Sequence, residues 1–191
     1  MFAPRILAFS GSARTESLNT KLLRIGVAGA RDAGAEVSVI NLRDFNLPIY
    51  DGDLESASGL PQAVHELREI FLSHRGLLIA CPEYNGSFTP LLKNTLDWVS
   101  RPVAGHPPLD CYRDKIAAVC SASPGWRGGL RGLAHLRDLL GNVGVLTLTT
   151  EVTIPDATKA FGSDNLLLDP KRQQSATRLG AELTFYLKKI S

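Results

Sequence analysis

The chain has 191 residues, a length typical of one domain, and 44% of them are hydrophobic, which is enough for a substantial core without disulfides or metals. Its 21 basic and 19 acidic residues give a net charge of +2, without the basic excess that is typical of nucleic-acid-binding proteins. No apolar run reaches the roughly 18 residues of a membrane span. We therefore expect a single domain over residues 1–191 that binds neither nucleic acid nor membrane.

The first residues and the cysteines bear on the compartment. Residues Met1 to Arg5 lack the charged and apolar regions of a secretion signal, so a cytoplasmic location is expected. Cys81, Cys111 and Cys120 are an odd number without a C-x-x-C spacing, which argues against a disulfide framework or a zinc site. The four histidines show no metal-ligand spacing, so no metal site is predicted.

Strand-like and helix-like segments alternate along the chain. Apolar or alternating runs predict strands at Arg5–Phe9, Glu36–Asn41, Gly76–Cys81, Lys115–Ser121 and Val145–Val152. Helical periodicity and Pro or Gly boundary signals predict helices that begin near Asn19, Pro61, Leu91, Leu130 and Pro170. Long loops are predicted at 42–60, 100–114 and 154–168.

This alternation predicts an α/β fold with a five-stranded parallel sheet and helices on both faces. Because crossovers between parallel strands are right-handed, the carboxyl ends of all strands point to one edge of the sheet. In the strand order 2-1-3-4-5, strands 1, 3 and 4 are neighbours, and the topological switch point lies between strands 1 and 3. The three polar loops that follow these strands are therefore expected to converge on one site.

The first loop, Ser10–Asn19, places several hydroxyls, an amide and the guanidinium of Arg14 just before a helix. Free backbone N–H groups and the dipole of that helix make a favourable phosphate site. The alternative is an ordinary helix start, with Ser17 or Asn19 as the N-cap and Arg14 in solvent. The loop matches neither G-x-x-x-x-G-K-[ST] nor G-x-G-x-x-G, which disfavours a nucleoside triphosphate or a dinucleotide bound in the Rossmann manner.

The second loop, Pro82–Ser87, and the third loop, Ser121–Gly129, suit a flat ring. The second offers backbone groups that can bind a heterocycle edge, and Tyr84 either forms an aromatic surface or simply packs against the loop. The third has three glycines and Trp126, which either covers a ligand or fills an interface. No nucleophile–base pair is present, and a lone carboxylate such as Glu83 is usually a backbone cap. A phosphate cradle with ring contacts but no acid–base pair indicates a flavin-like cofactor.

Three motifs follow one another in the chain, namely Gly11-Ser12-x-Arg14-x-x-Ser17-x-Asn19, Pro82-Glu83-Tyr84-Asn85-x-Ser87 and Leu92-Lys93-Asn94-x-x-Asp97-Trp98-x-Ser100-Arg101-Pro102. In this order they resemble the NADPH-dependent FMN reductase family of flavodoxin-like proteins, which includes quinone, chromate and azo-dye reductases. The resemblance covers roughly residues 5–152. It implies a flavodoxin-like fold, a non-covalent FMN, and a homodimer or homotetramer.

The resemblance also implies the residues of the site. By motif position, the FMN phosphate would be held by Ser12, Arg14, Ser17 and Asn19. The isoalloxazine would be lined, largely through backbone groups, by Pro82, Glu83, Tyr84, Asn85 and Ser87. The third loop would close the site through Ser121, Ser123, Gly125 and Gly128. No catalytic side chain and no metal ligand are implied.

The implied function is an NAD(P)H-dependent oxidoreductase of ping-pong type, in which a hydride passes from NADPH or NADH through FMN to a quinone, an azo compound, a metal oxyanion or another flavin. No arginine can be assigned to the 2′-phosphate, so the choice of nicotinamide stays open. Two alternatives remain. A flavodoxin-type electron carrier without nicotinamide turnover is disfavoured because flavodoxins are acidic, and a flavodoxin-like regulatory domain without a cofactor is the other. Leu92, Leu96 and Trp98, near Arg101, suit a dimer face or the core equally well.

Overall fold

Residues 3–190 are described by the computed structural model, and a parallel sheet of five strands lies at their centre. The strands of this sheet are β1 (Arg5–Ser10), β2 (Glu36–Asn41), β3 (Gly76–Ala80), β6 (Ile116–Ala122) and β7 (Leu146–Ile154). A small antiparallel hairpin of β4 (Glu83–Tyr84) and β5 (Ser87–Phe88) follows β3. The strand order is β2-β1-β3-β6-β7. This confirms the predicted sheet and its 2-1-3-4-5 order.

Helices cover both faces of the sheet. They are α1 (Leu18–Asp32), α2 (Gly52–Ser58), α3 (Gln62–Leu72), α4 (Pro90–Val99), α5 (Leu130–Asn142) and α6 (Pro170–Lys189). Since successive strand residues point to opposite faces, Ile6 and Ala8 of β1 join the core under α1 and α6. Leu7 and Phe9 join the core under α3, α4 and α5. The predicted helices over both faces are thus confirmed.

Glycines let α1 and α6 pack against each other at close range. A Cβ on Gly29 would lie 1.9 Å from the carbonyl oxygen of Thr177, and one on Gly180 would lie 1.9 Å from that of Gly26. Only hydrogen fits at both positions. This contact fixes α1, and hence the first loop at its N-terminus, against the C-terminal helix.

Three segments predicted as loop contain regular structure, and one of them, 154–168, includes a 3₁₀ helix at Ala157–Lys159. Within 42–60 lie a 3₁₀ helix at Leu42–Phe45 and the helix α2. The side chain of Asp51 caps α2 by accepting a hydrogen bond from Asp53 N–H. Because no residue of α2 is buried, the sequence has no apolar periodicity that would predict this helix. The second loop forms the β4–β5 hairpin because Asn85 and Gly86 adopt positive φ angles of 52° and 86° at its turn.

The remaining expectations concern burial, membrane spans and the chain ends. Leu92, Leu96 and Trp98 are buried within the chain itself, so core packing accounts for them. The three cysteines are free and buried. None of the helices in the described part is long and apolar enough to cross a bilayer. Met1, Phe2 and Ser191 belong to the predicted domain 1–191 but lie outside the described residues.

Candidate functional site

The first, second and third loops meet at the carboxyl edge of the sheet and enclose a narrow cleft of about 80 Å³, the three-loop cleft. The predicted site residues in its lining are Ser12, Arg14, Ser17, Asn19, Pro82, Glu83, Tyr84 and Ser123. Leu18, Ala122 and Pro124 complete the lining. The convergence that the strand order predicts is therefore present in the structure.

The first loop ends in a free helix N-terminus. Ser17 is the N-cap of α1, and its Oγ accepts a hydrogen bond from Thr20 N–H at 3.2 Å. Within residues 3–190, the N–H groups of Leu18 and Asn19 have no acceptor. Arg14 is exposed and makes no ion pair with another described residue. Open N–H donors at a helix start beside an uncommitted guanidinium fit a phosphate group.

Asn19 ties the first loop to the third. Its Nδ2 donates to the carbonyl oxygen of Ala122 at 2.8 Å, and its Oδ1 accepts from Ala122 N–H at 2.9 Å. Both groups are buried, so the pair closes the gap between α1 and the end of β6 without water. The amide keeps one further N–H. Its predicted contact with a phosphate stays a prediction beside this observed structural role.

Thr89 joins the first loop to α4 in a similar way, a role that the sequence did not predict. The Thr89 hydroxyl donates to the carbonyl oxygen of Gly11 at 2.6 Å and accepts from Leu92 N–H at 3.2 Å. A Cβ on Gly11 would lie 3.0 Å from both Thr89 Oγ1 and Leu92 Cβ. The Thr-Pro pair at Thr89 and Pro90 is an N-cap signal, but it does not reveal the long-range acceptor.

Glu83 fastens the hairpin to α5. Its Oε2 accepts hydrogen bonds from the N–H groups of Arg131 at 3.0 Å and Gly132 at 3.1 Å, and its Oε1 accepts from Arg131 Nη2 at 2.8 Å. The N-cap of α5 is Gly129, which has no side chain to satisfy these N–H groups. Glu83 is thus a backbone cap, as expected of a lone loop carboxylate.

The charge state of Glu83 follows from these contacts. Partial burial of the carboxylate acts to raise its pKa, but the hydrogen bond from Gly132 N–H and the guanidinium of Arg131 outweigh it. The pKa of Glu83 is therefore below its ordinary value. The carboxylate is charged at neutral pH and accepts hydrogen bonds only, so it has no proton to donate.

The side chains of the hairpin line two different surface features, the three-loop cleft and a separate groove. Tyr84 lies in the cleft with 47% of its surface exposed, which favours an open aromatic surface over packing within the loop. Asn85 sits at the turn and does not line the cleft. Ser87 faces a separate surface groove, where its Oγ lies 3.1 Å from Nδ1 of His135. The structure does not bring the Asn85 and Ser87 side chains together with the others.

The third loop contributes Ser123 and backbone. Ser123 lines the cleft, and its Oγ accepts from Gly125 N–H at 3.2 Å. Ser121 is fully buried and donates to the carbonyl oxygen of Cys81 at 2.6 Å, which joins the ends of β6 and β3. Neither Gly125 nor Gly128 lines the cleft. The side chains of the predicted third-loop residues are therefore only partly directed at a ligand.

Trp126 and its neighbour form a solvent-facing pair at the tip of this loop. The Trp126 side chain is 72% exposed, and the guanidinium carbon of Arg127 lies 4.0 Å from the centre of its ring. Trp126 does not line the three-loop cleft. In this arrangement it neither covers the cleft nor packs within the chain.

Comparison with known proteins agrees with this geometry. A family model described as NADPH-dependent FMN reductase matches residues 4–159, which is most of the chain. The chain belongs to the NADPH-dependent FMN reductase family. The match includes all three loops of the cleft, so the family assignment and the site rest on the same residues.

Individual relatives agree with the assignment. The NAD(P)H-dependent FMN reductase of Pseudomonas aeruginosa is 33% identical over 187 residues, which cover 97% of this chain and 96% of that protein. A probable NADPH:quinone oxidoreductase of Oryza sativa is 35% identical over 178 residues, covering 88% of this chain and 81% of its own length. Among solved structures, the flavoenzyme NAD(P)H:(acceptor) oxidoreductase of Paracoccus denitrificans superposes with a TM-score of 0.81 at 26% identity, covering 98% of both chains.

These findings confirm the predicted family, the flavodoxin-like fold, and the oxidoreductase class with FMN and NAD(P)H as its cofactors. They give no support to the electron-carrier alternative. The roles of individual residues toward FMN stay predictions, supported by the open donors of the first loop and by the exposed Tyr84 in the cleft lining. No group of three or more His, Cys, Asp or Glu side chains in residues 3–190 is arranged to hold a metal ion.

Proposed function

We propose that this chain is an NAD(P)H-dependent FMN oxidoreductase that delivers electrons to a small-molecule acceptor of the quinone type. The observation that carries the proposal is the meeting of an open helix N-terminus with an aromatic hairpin wall in one cleft. The quinone class is supported by relatives named quinone oxidoreductases in Oryza sativa and quinone reductase in Escherichia coli, the latter 33% identical over 141 residues. That relative aligns over 71% of this chain and 69% of its own length.

The first loop would hold the phosphate end of FMN. The free N–H groups of Leu18 and Asn19 carry the positive end of the α1 dipole, and Arg14 adds a full charge. Ser12 and Ser17 provide hydroxyls beside them. Because Asn19 and Thr89 hold this loop to β6 and α4, the donors are positioned before the ligand arrives, which lowers the entropic cost of binding.

The hairpin would hold the ring. Pro82, Glu83 and Tyr84 line the cleft, and the fastening of Glu83 to α5 keeps their backbone in place. When bound, FMN supplies the hydride and electron transfer. The protein would bind and orient the ring through these hairpin residues. The Glu83 carboxylate is charged and committed to α5, so it has no acid or base role.

The test is an anaerobic titration of FMN-loaded protein with NADPH and, separately, with NADH. We expect the visible flavin absorbance to fall within one turnover and to recover when a benzoquinone is added. A flavodoxin-type carrier would keep its absorbance until a partner reductase was supplied. If neither nicotinamide changes the absorbance, the proposal is wrong. A panel of quinone, azo compound, chromate and free FMN then ranks the acceptors.

The proposal includes a homodimer or homotetramer located in the cytoplasm. Exposed apolar side chains that are neighbours at the end of α6 support self-association, namely Phe185 at 54%, Tyr186 at 42% and Ile190 at 51% exposure. Free cysteines are typical of a reducing compartment, and all three here are unpaired. Light scattering coupled to gel filtration measures the assembly, and a monomeric mass at micromolar concentration would contradict this part.

A further inference from the structure

A second cavity, of about 450 Å³, adjoins the three-loop cleft. It lies between α1, the end of β2 and the 3₁₀ helix Leu42–Phe45. Ser12 and Arg14 line both spaces, so the first loop is their shared wall. The FMN site proposed above leaves this cavity unused. We call it the arginine cavity after the residues described next.

Three arginines surround the cavity, namely Arg14, Arg24 and Arg43. All three are exposed, and none forms an ion pair with another residue of 3–190. Arg43 donates from Nη1 to the carbonyl oxygen of Ala13 at 3.3 Å, which holds its side chain over the first loop. Three guanidinium groups without an acidic partner around one concave space produce a positive potential that favours an anion.

The acidic residue in the described lining, Asp44, does not cancel this charge. Its Oδ1 accepts a hydrogen bond from Asn41 Nδ2 at 2.9 Å, so it is tied to the end of β2. Because Arg14 is assigned to the FMN phosphate, one carboxylate against Arg24 and Arg43 leaves the cavity of the FMN-loaded protein with a formal excess of one positive charge. That excess favours an anion, and the oxygens of a phosphate monoester suit the fork of an arginine.

Part of the lining is apolar. Leu23 of α1 and Val39 of β2 face the cavity, and Val39 is 50% exposed although it is a large aliphatic residue on a strand. A flat base that covered Val39 would remove this apolar surface from water. Apolar lining with a few convergent charged groups is typical of a nucleotide site. An inorganic anion alone would use the arginines but not this surface.

We propose that the arginine cavity binds the 2′-phosphorylated adenosine end of NADPH, with Arg24 and Arg43 as phosphate ligands, and so makes the enzyme prefer NADPH to NADH. This inference rests on the function proposed above. Neighbouring strands lie about 4.8 Å apart, so the end of β2 is roughly 10 Å from the end of β3, where the ring wall begins. An extended dinucleotide is long enough to bridge that separation while Ser12 and Arg14 hold the FMN phosphate. Sequence motifs did not reveal the site because its arginines belong to separate elements.

The first experiment compares nicotinamides in steady-state kinetics of the FMN-loaded chain. Arg24→Gln and Arg43→Gln are each expected to raise KM for NADPH roughly tenfold, since each removes a charge-assisted hydrogen bond, and to leave KM for NADH unchanged. The matched control is Arg31→Gln, which removes a charge from α1 outside the cavity. An unchanged ratio of the two KM values in both cavity variants would overturn the inference.

The second experiment measures binding without turnover. Calorimetric titration of the wild-type FMN-loaded protein with adenosine 2′,5′-bisphosphate is expected to show binding at least tenfold tighter than with 5′-AMP, and Arg24→Gln should remove the difference. Inorganic phosphate binding as tightly as the bisphosphate would identify a free-anion site and contradict the nucleotide assignment. If the wild type oxidises neither nicotinamide, the proposed function fails, and this titration still decides whether the cavity binds 2′-phosphorylated adenosine.

Discussion

Glu83 and Arg131 join the hairpin of the three-loop cleft to the N-terminus of α5. The Glu83 carboxylate accepts hydrogen bonds from both the backbone N–H and the guanidinium of Arg131. The residues that would face the flavin ring are therefore held by a helix that is 47 residues further along the chain, counted from Glu83 to the start of α5 at Leu130. We therefore expect ring binding to be coupled to the capping of α5, and the first two predictions follow from that expectation.

Replacement of Glu83 by Gln should weaken FMN binding several-fold and lower the free energy of unfolding by about 1–3 kcal/mol, because an amide replaces a carboxylate that accepts from a helix N-terminus and a guanidinium. Quenching of FMN fluorescence gives the affinity, and urea denaturation gives the stability. Glu69→Gln is the control, since that side chain is exposed on α3 and lies outside the lining of the cleft. An FMN affinity equal to that of the wild type would show that the hydrogen bonds between Glu83 and α5 do not position the hairpin for FMN binding.

The same pair predicts a pH dependence. The pKa of Glu83 in the folded chain lies below its ordinary value, so its contribution to stability is complete above that ordinary value, about 4.3, and is lost as the pH falls through the lower folded pKa. The difference in unfolding free energy between wild type and Glu83→Gln should be constant from pH 6 to 8 and shrink below about pH 4. Urea titrations across this range measure it. A difference that grew toward acid pH would contradict the assigned direction.

The elements and the fold were predictable because their signals are local. Continuous apolar runs such as Ile6–Phe9 and Leu77–Ala80 mark strands covered on both faces, and α5 and α6 begin where Leu130 and Pro170 predict. The helix α2 was missed because it buries no residue and so has no apolar period. The predicted strand order was then sufficient to indicate that the three loops meet at one edge of the sheet.

Side-chain roles in the site were less predictable because they depend on distant partners. Asn19 and Ala122 are 103 positions apart, and no local pattern assigns the Asn19 amide to that backbone group. The arginine cavity combines Arg24 of α1 with Arg43 after β2, which share no motif. Ser121 fits a hydroxyl position of the third loop by pattern, yet it is buried against Cys81. Motifs indicated which loops meet, and only packing shows which side chains remain free.

Arg14 should contribute to binding of the FMN phosphate and not to binding of the flavin ring. Arg14→Gln is expected to raise the dissociation constant of FMN about tenfold, the effect of losing one charge-assisted hydrogen bond, and to leave riboflavin binding unchanged because riboflavin has no phosphate. Fluorescence titration with both flavins measures this. Arg31→Gln, at the far end of α1, serves as the control. Equal losses for FMN and riboflavin would place Arg14 against the ring instead.

The two hydrogen bonds between Asn19 and Ala122 should contribute more to stability than the exposed side chain of Asn142 does. Asn19→Ala leaves the N–H and carbonyl of Ala122 buried without partners, which costs about 1–3 kcal/mol for each unsatisfied group. Asn142→Ala, at the exposed end of α5, removes an amide of the same size and should change stability by less than about 0.5 kcal/mol. Denaturation midpoints of both variants provide the comparison. Equal midpoints would show that water replaces the Asn19 amide.

Gly129, just before α5, and Gly141, within α5, should respond in opposite ways to replacement by alanine. Gly129 precedes the helix with φ at 93°, and a Cβ there would lie 1.9 Å from Oγ of the buried Ser121. Gly141 lies in the helix with no heavy atom within 4 Å of the corresponding position. Gly129→Ala should therefore lose about 2–4 kcal/mol from overpacking and the left-handed backbone.

Gly141→Ala should instead gain up to about 1 kcal/mol from helix propensity. Urea denaturation followed by circular dichroism measures both changes. Because Ser121 also joins β6 to β3, the Gly129 variant should lose FMN affinity even under conditions where it remains folded, whereas the Gly141 variant should bind FMN as the wild type does. A Gly129→Ala protein with normal stability would mean that the third loop can move away from β6, contrary to the close contact between Gly129 and Ser121.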